Sequence, residues 1–332
     1  MRPVDPEYYY SRFLHPRYWP TWLLIGLLRL LAFLPHVVLQ ALGSGLGWLS
    51  YIFARERRAI AETNIRLCLP DRSEAERQRL VRDSMISLLK GYLECTKVWW
   101  ANMEPYQRKA TVHGGEHLEE AKRRGKGIIL LGGHFSILDF AGPLVSKLTT
   151  FTCMYRPQRN ELFNAVIERR RRVFAETTFS RNRLRSMIRY IRNGGLVWYA
   201  CDQDFGPRDS VFAPFFGTQA ATLTAPAWMA RATGATVLMM AQFREGGKHY
   251  SVHFSPIFED YPSGDGVADA RRMNEELEKL ILIHPEQYLW VHRRLKTRPE
   301  GEPELYPPKK KKVRQMKKRA RQMKARTTES QL

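Results

Sequence analysis

Apolar and polar residues along the chain fall into three successive textures. In the first, residues 19–53, apolar positions have few interruptions. Thr21-Trp-Leu-Leu-Ile-Gly-Leu-Leu-Arg29-Leu-Leu-Ala-Phe-Leu34 runs into Pro35-His36, after which apolarity resumes. About 20 apolar residues cross a bilayer, and an arginine at its midplane costs about 2.5–3.5 kcal/mol. The stretch therefore predicts an anchor helix that enters the membrane, tilted or partly interfacial, with Tyr18, Trp19 and Trp22 suited to the headgroup edge. It lies too far along the chain, and lacks the small-residue cleavage pattern, for a removable signal peptide. Arg55, Arg57 and Arg58 follow directly, so the positive-inside tendency places the remaining chain in the cytoplasm.

The second texture has helical spacing, over residues 57–67 and 73–100, split at Pro70-Asp71. Ser73-Glu-Ala-Glu76 has the form of an N-terminal capping box. Beyond Val112 comes the third, in which short apolar runs alternate with helical segments. Strands are expected at 128–131, 150–155, 195–201, 236–243 and 250–254, and helices at 136–147, 160–174 and 184–192. Such alternation predicts an α/β fold, a mainly parallel central sheet flanked by helices. The chain divides into an N-terminal membrane anchor (1–56), a catalytic domain (57–306) and a basic C-terminal tail (307–332) expected to be a solvated extension.

Composition adds to this picture mainly through charge. The 332 residues are 44% hydrophobic and carry a net charge of +21, which favours anionic partners. From Lys309 onward eleven lysines and arginines face the single acid Glu329, so close to half of the excess lies in the tail. The body remains basic without it. Cys68, Cys95, Cys153 and Cys201 are widely spaced with no Cys-x-x-Cys, which argues against a structural zinc site or a disulfide framework and fits a reducing compartment.

Candidate chemistry gathers at two strand ends. In Lys126-Gly-Ile-Ile-Leu-Leu-Gly-Gly-His134-Phe-Ser-Ile-Leu-Asp139 a buried strand leads through two glycines to a histidine and an acid. On one helix a five-residue offset is about 140° of rotation, so the two side chains meet more easily if His134 precedes the helix and Asp139 lies in its first turns. An acid on one imidazole nitrogen fixes the tautomer and frees the other as a base. A buried histidine beside a helix-capping acid would look the same. In the second cluster Gly195-Leu-Val-Trp-Tyr-Ala-Cys-Asp202-Gln-Asp204-Phe-Gly206-Pro207 delivers two acids to a turn. Ligand crevices of open α/β sheets form outside such strand ends, so Asp202 is expected near His134, orienting an arginine or the acceptor. Asp202-x-Asp204 also has the form of a divalent-metal motif, and plain turn chemistry would use the same residues. Between the clusters Tyr155-Arg156-Pro157 precedes Glu168-Arg-Arg-Arg171-Arg172, of which one or two guanidinium groups can line a site. The aromatic run Val211-Phe-Ala-Pro-Phe-Phe-Gly217 reads as a loop bordering an acyl groove or as core.

Taken in order, Gly133-His134-Phe-Ser-Ile-Leu-Asp139, Tyr155-Arg-Pro157, Trp198-Tyr-Ala-Cys-Asp202-Gln-Asp204-Phe-Gly206-Pro-Arg208, Val211 to Gly217, and Pro285-Glu-Gln-Tyr-Leu-Trp-Val-His-Arg293-Arg294-Leu-Lys-Thr-Arg-Pro299 resemble the bacterial late lipid A acyltransferases, nearest the lauroyltransferase branch. The resemblance implies a glycerolipid-acyltransferase-like fold in an inner-membrane enzyme. The implied reaction moves an acyl group from acyl carrier protein to a hydroxyl on a phosphorylated, Kdo-bearing lipid A precursor. It also implies catalytic roles for His134 and Asp139 and supporting roles for Arg171 and Asp202. Many lauroyltransferases have Glu where this chain has Asp139. Arg156, Asp204, Arg208, Arg293 and Arg294 are the candidate substrate-binding residues, with Arg293, Arg294, Lys296 and Arg298 expected to form one recognition face. Inner-membrane lipid is an expected partner, and no cofactor, metal or nucleic acid is expected. The rival readings are a metal-dependent glycosyltransferase using Asp202-x-Asp204 and a basic adaptor acting through the tail.

Overall fold

A computed structural model describes residues 10–155, 157–180 and 183–307. The apolar N-terminal stretch forms two helices rather than one, α1 (Trp19–Phe33) and α2 (His36–Phe53). Pro35 provides the break, because its ring cannot continue the helix. Lys97 caps the end of α1 by donating to the carbonyls of Ala32 and Leu34, and His36 is buried against Tyr106. Neither helix is long and apolar enough to cross a membrane. A pair that passes that test together, α2 and α3 (Arg55–Cys68), is bent by 89°. The expected single anchor helix is thus corrected to a broken helical pair.

Helix α4 (Glu74–Trp100) is the long element behind the site, and Ser73 opens it with the capping box read from the sequence. Helix α2 packs on it through glycine. A Cβ at Gly47 would lie 2.4 Å from Ile86 Cα, and one at Gly43 2.7 Å from Lys90 Cα.

A short helix α5 (Glu104–Gln107), β1 (Thr111–His113), α6 (Gly115–Arg123) and β2 (Ile128–Gly132) lead into the sheet. Then come α7 (Leu138–Val145), β3 (Thr152–Tyr155), α8 (Glu161–Arg171), β4 (Thr177–Ser180), α9 (Leu184–Arg192) and β5 (Leu196–Ala200). The hairpin β6 (Ser210–Phe215) and β7 (Thr218–Leu223), α10 (Ala225–Thr233), β8 (Thr236–Gly246), β9 (His249–Phe254) and α11 (Gly266–Ile283) follow. Seven strands form one sheet in the order β1-β9-β8-β2-β5-β3-β4. Its pairings are parallel except β8 with β9, so the fold is the expected mainly parallel α/β sheet flanked by helices. Strand β2 is buried along its whole length, as an apolar run covered on both faces should be. One apolar layer joins the sheet to α3, the first half of α4 and α11. The other joins it to α7 and the end of α4.

Candidate active site

Register brings the two clusters together. β2 and β5 are parallel neighbours with Gly132 opposite Ala200. His134 and Asp202 each stand two residues beyond that pair, so both emerge at the same height above adjacent strand ends. The Asp202 carboxylate takes both donors of His134. Oδ2 accepts the backbone N–H at 2.7 Å, and Oδ1 lies 2.6 Å from Nδ1. A Cβ at Gly133 would lie 2.8 Å from Leu277 Cδ1 and 3.2 Å from Phe135 Cε2, so glycine here leaves room for those two side chains. With Nδ1–H donating to Asp202, Nε2 is left as the acceptor, 3.2 Å from the Gln203 amide nitrogen. Burial works against a charged ring, but the Asp202 carboxylate and its hydrogen bond outweigh it and raise the His134 pKa above the ordinary value. Burial likewise opposes a charge on Asp202, yet the imidazole and its bonds hold that carboxyl down at about 2.

The expected pairing of His134 with Asp139 is corrected here. His134 does precede the helix and Asp139 does lie in its first turn, but Asp139 Oδ1 accepts from Arg171 Nε at 3.1 Å and Nη2 at 2.7 Å. Asp202 had been expected to orient an arginine or the acceptor. Instead it orients the imidazole, and Asp139 holds the arginine. The reason is topological, because strand pairing puts Asp202 directly beside His134, whereas Asp139 rides on α7 towards α8. His134, Asp139 and Arg171 line one cavity of about 270 Å³, whose wall continues through Leu130, Gly142, Val145, Phe151, Phe174 and Trp198. The polar lining side chains His134, Asp139 and Arg171 are partly exposed, whereas Leu130, Val145 and Phe151 are buried.

Other candidates fall elsewhere. Asp204 is buried and satisfied inside the fold: it accepts from Gly206 N–H and from Thr297 N–H and Oγ1–H, with Lys296 Nζ 3.3 Å away. Asp202 and Asp204 therefore serve different partners. Among the described residues no group of three His, Cys, Asp or Glu is placed to hold a metal ion, and nothing supports the metal-dependent rival. Arg294 is buried, donating to Ala221 O, Thr222 Oγ1 and Asn274 Oδ1. Arg293 bonds to Glu56 and Pro307 O, and Arg298 to Gln219 O and Glu302. Of the expected recognition face, Arg294 is withdrawn into the fold as a brace, whereas Arg293 and Arg298 are partly exposed and paired within the chain, and Lys296 is exposed beside Asp204. Arg208 is exposed in the turn before β6. Arg156 and the basic tail from residue 308 onward lie outside the described residues.

What the Pro285-to-Pro299 block does locally is clamp the histidine loop. Leu289 N–H donates to His134 O at 3.0 Å, Ser136 N–H to Gln287 O at 2.7 Å, and Phe135 bridges Tyr288. Behind it, Ser136 Oγ meets Ser87 Oγ at 2.9 Å, and Ser87 accepts from Arg244. Arg244 pairs with Glu94, fully buried, whose carboxylate also accepts from Tyr250 at 2.6 Å. Gln203 and this brace carry no signature in the sequence, because their partners are 49 to 157 residues distant.

The family model described as "Bacterial lipid A biosynthesis acyltransferase" matches residues 9–297. The lauroyltransferase of lipid A biosynthesis from Escherichia coli (strain K12) is 38% identical over 295 residues, 88% of this chain and 96% of that protein. The palmitoleoyltransferase of the same organism is 36% identical over 91% of this chain and 99% of its own, and the myristoyltransferase 32% identical over 91% and 94%. A solved lysophosphatidic acid acyltransferase, PlsC from Thermotoga maritima, overlaps 74% of this chain and 93% of its own at 16% identity, with a TM-score of 0.31. A family match over residues 9–297 and relatives above 30% identity along most of the chain make this protein an acyltransferase, a member of the bacterial lipid A biosynthesis acyltransferase family.

Proposed function

We propose that the enzyme transfers a medium-length acyl group from acyl carrier protein to a hydroxyl of a hydroxyacyl chain on a phosphorylated, Kdo-bearing lipid A precursor, with His134 as general base. The observation that carries this reading is the Asp202–His134 pair at the mouth of an apolar cavity. Nε2 of His134 takes the proton of the acceptor hydroxyl. The oxygen attacks the thioester carbonyl, the C–S bond breaks as the ester C–O bond forms, and the imidazolium returns its proton to the leaving thiolate. Asp202 holds the ring in the accepting tautomer and stabilises the cation. Arg171, steadied by Asp139, stands at the same mouth to stabilise the carbonyl oxygen or bind a precursor phosphate. No covalent enzyme intermediate enters the scheme. The buried apolar lining of the cavity suits the donor chain.

Exposed apolar side chains on α1 and α2, among them Leu23, Phe33, Val37 and Phe53, support attachment to the inner membrane. The catalytic residues then work at the cytoplasmic face, where the basic body meets an anionic carrier, headgroup and substrate.

The test is a purified transfer assay with acyl carrier thioester and precursor, read by mass spectrometry. His134→Ala is expected to lower kcat by about 10²–10⁴. Near-normal transfer by that variant removes the base from the scheme.

A further inference from the structure

Helix α7 meets the last residue of α8 and the turn after it at the same three-residue spacing. At the mouth Asp139 pairs with Arg171. Three residues further along both segments, Gly142 meets Phe174. A Cβ on Gly142 would lie 2.2–2.9 Å from three atoms of the Phe174 ring, so the ring sits directly on the helix backbone, where only glycine leaves room. Phe151 stacks against the same ring, with centroids 6.5 Å apart and an interplanar angle of 20°. Beyond it lies a second cavity of about 370 Å³ near the end of α4, lined in part by Val98, Trp99, Trp100 and Met103. Phe174 lines both cavities.

We propose that Phe174 determines acyl-chain length: its ring is the partition that stops the donor chain in the first cavity, and the second cavity is the space a longer chain enters when the ring is cut back. The proposal rests on the assignment of the first cavity to the donor chain. Dimensions agree with it. From Leu138 to Val145 helix α7 advances about 10 Å, and from Tyr155 back to Phe151 the chain covers about 13 Å. An extended hydrocarbon advances about 1.3 Å per carbon, so on the order of eight to ten carbons fit along this wall. Glycine at 142 lets the ring lie across the path, and the stack on Phe151 holds it there.

The experiment is a competition among acyl carrier thioesters of 10 to 18 carbons, scored by kcat/KM for each. Rejection of one surplus methylene by an apolar pocket is worth about 10-fold or more. Phe174→Ala is therefore expected to raise the 16-carbon to 12-carbon ratio at least 10-fold, with KM for the glycolipid acceptor unchanged. Phe174→Leu, a milder truncation, shifts the ratio the same way by less. Ser146→Phe, which fills the second cavity, returns the ratio of the Phe174→Ala chain towards wild type. A folded Phe174→Ala or Phe174→Leu chain with an unshifted profile overturns the proposal, as does a shift that Ser146→Phe leaves in place. Absence of transfer by the unaltered chain counts against the donor reading itself, whereas transfer with an unshifted profile counts against Phe174 alone.

Discussion

A hydroxyl brought to Nε2 of His134 meets a nitrogen whose basicity is set by a carboxylate 68 residues later in the chain. The raised pKa has a definite sign. The base form gains population as pH rises through a value above the ordinary histidine range near 6.5, so the acid limb of the kcat/KM profile is expected above that figure. Asp202→Asn removes the charge that opposes burial, so the limb should move below it while kcat falls by about 10²-fold or more. A profile unmoved by the substitution would exclude Asp202 as the group that tunes the ring. Stability runs the other way: with its folded pKa raised, His134 contributes fully below the unfolded value, and that contribution is lost as pH rises through the folded one. The histidine itself was legible from its strand, its glycines and the helix behind it. Its partner was not. Asp139 is near in sequence, but only the register of β2 on β5 makes Asp202 near in space.

Elements show the same division between local and distant causes. Buried strands such as β2 and most of β8 are apolar runs that announce themselves, and α9 occupies the span its pattern predicts. Strand β4, Thr177-Thr-Phe-Ser180, carries little apolar signal and owes its form to pairing with β3. The aromatic run, read as a groove loop or as core, is the β6–β7 hairpin, with Ala213 and Phe215 buried and the chain turned at Phe216 and Gly217, which both have positive φ, as a type I′ turn requires. In the N-terminal stretch, hydrophobicity registered length but not the break at Pro35, nor the glycines by which α2 seats on α4. Gly47→Leu sets a side chain against the Ile86 backbone. Overpacking of this kind costs about 1–3 kcal/mol, so denaturant unfolding should show a lower midpoint for Gly47→Leu. An unchanged midpoint would mean that the two helices can part at no cost.

At the scale of the molecule, charge and apolar surface are separated. Leu23 is 76% exposed, Val37 73% and Phe53 74%, all on α1 and α2. Burying such a side chain is worth about 1.5–3 kcal/mol. Leu23→Glu with Val37→Glu should therefore lower cosedimentation with anionic phospholipid vesicles by about 10²-fold or more, while transfer to a detergent-dispersed acceptor persists. Equal binding by the altered chain would move the membrane contact elsewhere.

The clamp on the histidine loop has a consequence in time as well as in space. Residues 285–297 follow every strand and every named helix in the order of synthesis, yet they fix the backbone of His134 and Ser136. A nascent chain can complete its sheet and apolar cavity while that loop is still unfastened. Docking of residues 285–297 is thus a late step that fastens the backbone beneath an imidazole whose ring is already oriented by the register of β2 on β5.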